Sequence, residues 1–186
     1  MYLLVGLGNC GQEYKNTRHN FGFLLIDKII ARHNLILQGK KFKSDFFSGE
    51  IDGLKILALK PQTFMNLSGF AVLEAINFYK IPLQNIIILH DDIDLDFVKI
   101  KYKIGGGNGG HNGLKSIDEN IGKEYARIRL GIGRPSNLNY EVSDYVLSQF
   151  SAEELKIIDK LNEKISDNFL ELLKGNAQNF LNKIHL

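Results

Sequence analysis

The sequence predicts an α/β fold: a single-domain mixed β-sheet surrounded by helices, with a C-terminal amphipathic helix. Strand-like and helix-like stretches alternate along the chain. The run NIIIL, Asn85 to Leu89, is continuously apolar, as a strand covered on both faces should be. Two neighbouring strand-like stretches are joined by a short turn, which makes the sheet mixed rather than wholly parallel. At 186 residues and 44% hydrophobic content, the chain suits one compact domain over residues 1–186.

In chain order, YLLV opens a strand expected at Tyr2 to Gly8. Apolar residues then recur at helical spacing through Phe21, Leu24, Leu25 and Ile29, predicting a helix near Asn20 to His33 with Thr17 as its cap. FFSGEI and LKILALK read as strands joined at Asp52-Gly53, and Leu67 to Tyr79 reads as a helix after Lys60-Pro61. Val98 to Ile104 alternates, a glycine-rich loop and short helix follow, and Ala126 to Ile132 supplies another strand. Ser151 and Glu154 stand at capping-box spacing before the last segment, where Ile158, Leu161, Ile165, Phe169, Leu172 and Leu173 form one apolar stripe, read as packing on the domain.

A net charge of +2 does not by itself announce a nucleic-acid partner, so that inference must come from where the basic residues cluster. The lone cysteine, Cys10, excludes an internal disulfide and fits a reducing compartment. No basic segment precedes the first strand, and no apolar run approaches the roughly 20 residues that span a bilayer. A cytoplasmic protein without a membrane partner is expected.

Two stretches match the G-x-G-x-x-G pattern of dinucleotide sites. Gly6, Gly8 and Gly11 do not open a helix, and Asp27 falls mid-helix, where it cannot reach a ribose. Gly105, Gly107 and Gly110 lie between a strand and a helix, but no acidic residue ends the next strand, and Leu114 breaks a P-loop ending before Lys115-Ser116. That loop keeps backbone N–H groups suited to a carbonyl, an oxyanion or a phosphate.

Four polar clusters stand at element ends: Asn9 with His19 and Asn20; Asn66; His90, Asp91 and Asp92; and His111 with Asn112. The ends of strands are where open α/β sheets assemble sites. Of the five histidines, His33 and His185 read as solvated and His90 reads either as a core histidine bonded to backbone or as catalytic. His19, in a polar loop before a helix, is the better general base, and Asp91 is the best-placed acceptor to fix its tautomer. A metal could draw on the HDDID run with His19 and His111, but strand alternation sends Asp91 and Asp92 to opposite faces. Nothing near Cys10 marks it as an activated nucleophile. Lys99, Lys101 and Lys103 alternate along one strand, and Arg127 and Arg129 along another, so each set is expected on one face, as a solvated surface or as a strip for a phosphate backbone.

The motifs GLGN-x-G-x-x-Y-x-x-TRHN-x-G, KP-x-T-x-MNLSG, HDDIDL, GGGNGGHNGLKS and RIRLGIGRP resemble, in content and order, those of the bacterial peptidyl-tRNA hydrolases, from residue 6 to about residue 150. The resemblance implies a monomeric, metal-independent enzyme without organic cofactor, which cleaves the ester joining a peptide to the 3′-terminal ribose of tRNA. It implies His19 as the base that activates water and Asp91 as the residue that orients it. Asn9 and Asn66 would bind the peptide main chain or steady the water, Asn112 would help hold substrate, and Tyr14 would be a further substrate contact. Lys103 and Arg129 would grip phosphate at the acceptor-stem and CCA end of peptidyl-tRNA. Cys10 departs from the family by standing where proline is usual, and DFVKIKYK replaces a turn containing proline and glycine before Lys103. An RNA-binding module without turnover and a metal-dependent hydrolase of another ester are the competing expectations.

Overall fold

A computed structural model describes residues 1–137 and 139–185. Its seven strands are β1 (Tyr2–Gly6), β2 (Ile36–Lys41), β3 (Ser44–Ile51), β4 (Leu54–Pro61), β5 (Ile86–Asp92), β6 (Ile100–Ile104) and β7 (Ala126–Gly131). They form one sheet in the order β2-β3-β4-β1-β5-β7-β6. The four inner strands β4, β1, β5 and β7 run parallel, while β2, β3 and β6 pair antiparallel at the edges. The sheet is mixed, as expected.

Alternation within continuous apolar runs explains why the inner strands are buried on both faces. Leu4, Ile87 and Leu89 face the cluster formed with α1 (Phe21–Arg32), α5 (Ala152–Leu173) and α6 (Ala177–Lys183). Leu3, Val5, Ile86 and Ile88 face the opposite cluster, formed with α2 (Ser68–Tyr79) and α3 (Asn112–Ile121). All six residues of the predicted C-terminal stripe are buried, and Ser151 and Glu154 close their capping box. That helix is therefore spent on the core.

Several expectations shift. The edge strand β2 has no counterpart in the sequence reading, because all six of its residues are exposed and show no apolar side to count. The short helix α4 (Val142–Leu147) is too brief for helical periodicity to register. The C-terminal segment is two helices, broken at Gly175, where φ is +81°. Strand β1 ends at Gly6, and β6 begins only at Ile100, since Val98 adopts φ +59° in a turn. Thr17 does not cap α1: Asn20 holds that position, and the Thr17 hydroxyl donates to the Tyr14 carbonyl at 2.9 Å.

Two close approaches set the height of the site above the sheet. A Cβ on Gly22 would lie 2.3 Å from the Leu89 carbonyl oxygen, so α1 starts directly over the junction of β1 and β5. A Cβ on Gly69 would lie 2.1 Å from the Ser116 carbonyl oxygen, so α2 and α3 touch backbone to backbone. The parallel strands all end on the same edge, and the loops leaving β1, β4 and β5 carry the polar clusters there.

Candidate active site

His19 lies in the 3₁₀ turn Arg18–Asn20 that leads into α1, and Asp91 is the penultimate residue of β5. Both are buried, and His19 Nδ1 stands 3.0 Å from each carboxylate oxygen of Asp91. The pairing expected from the sequence is present, across 72 positions of chain.

A second imidazole shares the carboxylate. His111 occupies the N-cap of α3, where its Nδ1 accepts the backbone N–H groups of Gly113 and Leu114 at 3.1 and 3.3 Å. An accepting Nδ1 bears no proton, so the proton sits on Nε2, which donates to Asp91 Oδ1 at 2.9 Å. Burial would raise the pKa of Asp91, but the charge of His19 and the hydrogen bonds from His19 and His111 hold it well below the usual carboxylate range. Burial pulls His19 down, and the charge and hydrogen bond of Asp91 more than offset this, leaving its pKa above the ordinary 6.5. With Nδ1–H given to the carboxylate, neutral His19 carries its lone pair on Nε2.

His90 takes the core role. Its Nδ1 donates to the Asp91 carbonyl at 2.7 Å, and burial lowers its pKa to about 3, so it stays neutral. His33 corrects the reading of a solvated side chain: it is half-buried, with Nε2 3.0 Å from the Ser166 carbonyl. His185 is exposed as expected.

The nitrogen and oxygen atoms of His19, Asp91 and His111 lie within 4.8 Å of one another, a spacing a metal could use. The donor set does not fit a resident ion. His111 Nε2 must keep its proton while Nδ1 caps α3, and the 2.9–3.0 Å separations from Asp91 are direct N–H···O bonds.

A cleft of about 330 Å³ opens beside this triad, lined among others by His19, Asp91, His111 and Asn112 and by the basic residues Lys103, Arg127 and Arg129. Arg129 is half-buried and donates through Nε to Asp92 at 2.7 Å. Asp91 and Asp92 both reach the cleft because it lies beyond the strand end, where the two faces of β5 are no longer separated. The cationic strip is shorter than expected. Arg127 is buried, donates to the Gly106 and Gly107 carbonyls and to Asp118, and so shapes the glycine loop. Lys99 precedes β6 and lines a separate small cleft with Leu181 and Ile184.

The asparagines divide between two clefts. Asn112 is exposed at the start of α3 and lines the first. Asn9 lines a second cleft, of about 350 Å³, together with Asn20 and Lys60. Its backbone exchanges hydrogen bonds with the Asn20 side chain at 2.8 and 2.9 Å, and its Oδ1 accepts Met65 N–H at 3.3 Å, which ties the turn bearing Asn66 to the His19 turn. Asn66 is exposed and Tyr14 half-buried, and neither lines either cleft. The roles of His111, Asn20 and Asp92 were not assigned from sequence. His111 was findable, since a side chain directly between a glycine loop and a helix start is placed to cap it.

The family model described as Peptidyl-tRNA hydrolase matches residues 3–186. This chain belongs to the peptidyl-tRNA hydrolase family. A peptidyl-tRNA hydrolase of Rickettsia prowazekii is 49% identical over 185 residues, covering 99% of this chain and 100% of the relative. One from Bartonella henselae is 47% identical over 184 residues, covering 99% and 95%. The crystal structure of the Acinetobacter baumannii peptidyl-tRNA hydrolase superposes with a TM-score of 0.91 at 36% identity, covering 99% of this chain and 94% of that one. Family membership thus extends over the whole chain, past the motifs that end near residue 150. No helix among the described residues is long and apolar enough to cross a membrane.

Proposed function

We propose that the chain hydrolyses the ester between a peptide and the 3′-terminal ribose of tRNA, with His19 as general base and Asp91 orienting it. The observation that carries this reading is the bonded His19–Asp91 pair in the wall of a cleft that Lys103 and Arg129 also line. Family membership supplies the substrate class.

His19 Nε2 takes a proton from water as the water oxygen attacks the ester carbonyl, giving a tetrahedral oxyanion and an imidazolium. The buried carboxylate of Asp91 stabilises that imidazolium through Nδ1–H. Collapse breaks the bond to the ribose oxygen, which receives the proton from His19, and a free peptide acid and tRNA leave. Asn112 and nearby backbone N–H groups of the glycine loop suit the developing oxyanion. Asn9 and Asn66 suit a peptide main chain, since an amide offers both donor and acceptor without reading side chains; Tyr14, five residues after Asn9, is a further substrate contact. Lys103 and Arg129 hold acceptor-stem phosphate, as positioning rather than sequence readout. The protein acts as a monomer in the cytoplasm, as one domain.

Incubation with peptidyl-tRNA and chelator throughout should release free peptide from the native chain. The His19→Ala variant should lose at least about a hundredfold in kcat with tRNA binding retained. Full turnover by that variant would remove the base, binding without release would favour an RNA-binding module, and activity lost in chelator and restored by a divalent ion would favour a metal hydrolase.

A further inference from the structure

Arg18, the residue before His19, is held from four directions by the stretch that leads from α4 into α5. Glu154 receives it through both forks, Nη1 to Oε1 at 2.9 Å and Nη2 to Oε2 at 3.1 Å. Nε donates to Ser148 Oγ at 3.3 Å, and the guanidinium carbon lies 4.8 and 4.9 Å from the ring centroids of Tyr145 and Phe150. The backbone reinforces the clasp: Arg18 N–H donates to the Ser148 carbonyl, Phe150 N–H to that of Asn16, and Thr17 bridges Gln149. Glu154 is fixed in turn as the acid of the α5 capping box, taking Ser151 N–H at 2.7 Å. Tyr145 belongs to α4, which gives Val142, Ser143 and Val146 to the wall of the catalytic cleft.

We infer that Arg18 is a positioning residue for the hydrolysis: its clasp fixes the His19 turn against Asp91 and fixes the α4 wall at the same time. The inference rests on His19 being the general base. A 3₁₀ turn of three residues has little stiffness of its own, and the described bonds of His19 reach only Asp91. Asn20 ties the far end of the turn to the Asn9 backbone, and Glu154 and the rings supply the constraint at the Arg18 end. Only a planar fork can meet a carboxylate through two nitrogens while stacking between two rings; an ammonium makes a single point contact.

The test uses the full chain with Arg18→Lys, which keeps the charge and removes the fork, together with Glu154→Gln and the double variant. His19 ring titration is followed by NMR without substrate, and kcat and KM are measured on peptidyl-tRNA. The charged and titratable groups facing His19 are Asp91 from β5 and His111 before α3, with His90 behind His111. None of these is altered by the substitutions. Arg18→Lys should lower kcat about ten- to a hundredfold with KM nearly unchanged, because a small misplacement of a catalytic group costs rate rather than binding. The His19 titration should move back toward its ordinary value of about 6.5 as the contact with Asp91 loosens. Glu154→Gln should act in the same direction, and the double variant should be no worse than the stronger single one. An unaltered His19 titration, an unaltered kcat, or fully additive losses would overturn the inference; Glu154→Gln decides alone if Arg18→Lys does not fold. Activity surviving in His19→Ala would remove the base instead, while the titration still reports on Arg18.

Discussion

Asp91 is buried yet charged, and it stays so because two imidazoles donate to it. That arrangement sets the sign of the pH dependence. In the proposed mechanism His19 is a base only when neutral, so activity should fall as pH drops through its raised pKa, putting the acid limb above 6.5. In Asp91→Asn the carboxylate is gone while burial remains, so the His19 pKa should fall below its ordinary value and the acid limb should move to lower pH. The rate should still drop by about 10²- to 10⁴-fold, because an amide no longer holds Nδ1–H and stabilises no imidazolium. A pH–rate profile from about 5 to 9 checks both; an unmoved limb would show that Asp91 does not govern His19. For stability the signs oppose. The raised His19 pKa stabilises the fold below about 6.5 and loses this as pH rises through the folded value; the depressed Asp91 pKa stabilises above 3.8 and loses this in acid. His19 and Asp91 were legible as a pair because a polar histidine and a strand-tip aspartate are each unusual in their settings. The cap made by His111 was legible from its place before a helix, but its bond to Asp91 was not, because it joins residues 20 positions apart on different elements and follows only from how α3 sits against β5.

Among the elements, the contact of α2 with α3 governs how the Asn66 turn stands relative to Asn112. Gly69 N–H donates to Ser116 Oγ at 3.0 Å, and nothing larger than hydrogen fits between the two backbones. Gly69→Ala should therefore cost about 1–3 kcal/mol of stability by forcing the helices apart. It should also raise KM more than it lowers kcat, since Asn66 and Asn112 hold substrate in the proposed mechanism. Chemical denaturation with steady-state kinetics tests this, and a stable variant with native KM would mean that the helices adjust freely. Sequence reading found α1, α2, α3, β3, β4 and β6 as well as β1, β5, β7 and the stripe of α5, and the last four are the ones whose residues are most fully buried. It missed β2, held at the edge by backbone pairing with β3 alone, and α4, whose six residues show no buried side. Hydrophobic periodicity reports burial over several turns or strand residues: β2 buries none of its residues, and α4 packs only Tyr145 and Val146 against the core.

For the molecule as a whole, net charge matters less than its arrangement along the cleft. Of the five basic residues read as strips, Lys103, Arg127 and Arg129 line the cleft, and Arg127 is already bonded to the glycine loop and Asp118, which leaves Lys103 and Arg129 for the phosphate in the proposed mechanism; Lys99 lines a separate cleft and Lys101 lines neither. Binding of tRNA should therefore weaken with salt through few contacts, and each phosphate contact removed should flatten the log–log slope by about 0.7–0.9. Lys103 is exposed, whereas Arg129 shares its charge with Asp92 at 2.7 Å, so Lys103→Ala should flatten the slope more than Arg129→Ala. The same pairing gives Asp92→Asn an opposite sign. Removing that carboxylate leaves Arg129 its full charge and makes the cleft more positive, so KM should fall severalfold at low salt, and the advantage should vanish above about 0.5 M as screening shortens below the width of the cleft. Measured KM across a salt series for the three variants decides the matter. A higher KM in Asp92→Asn at low salt would mean that the carboxylate serves chiefly to aim the guanidinium, and that orientation outweighs charge in holding the phosphate.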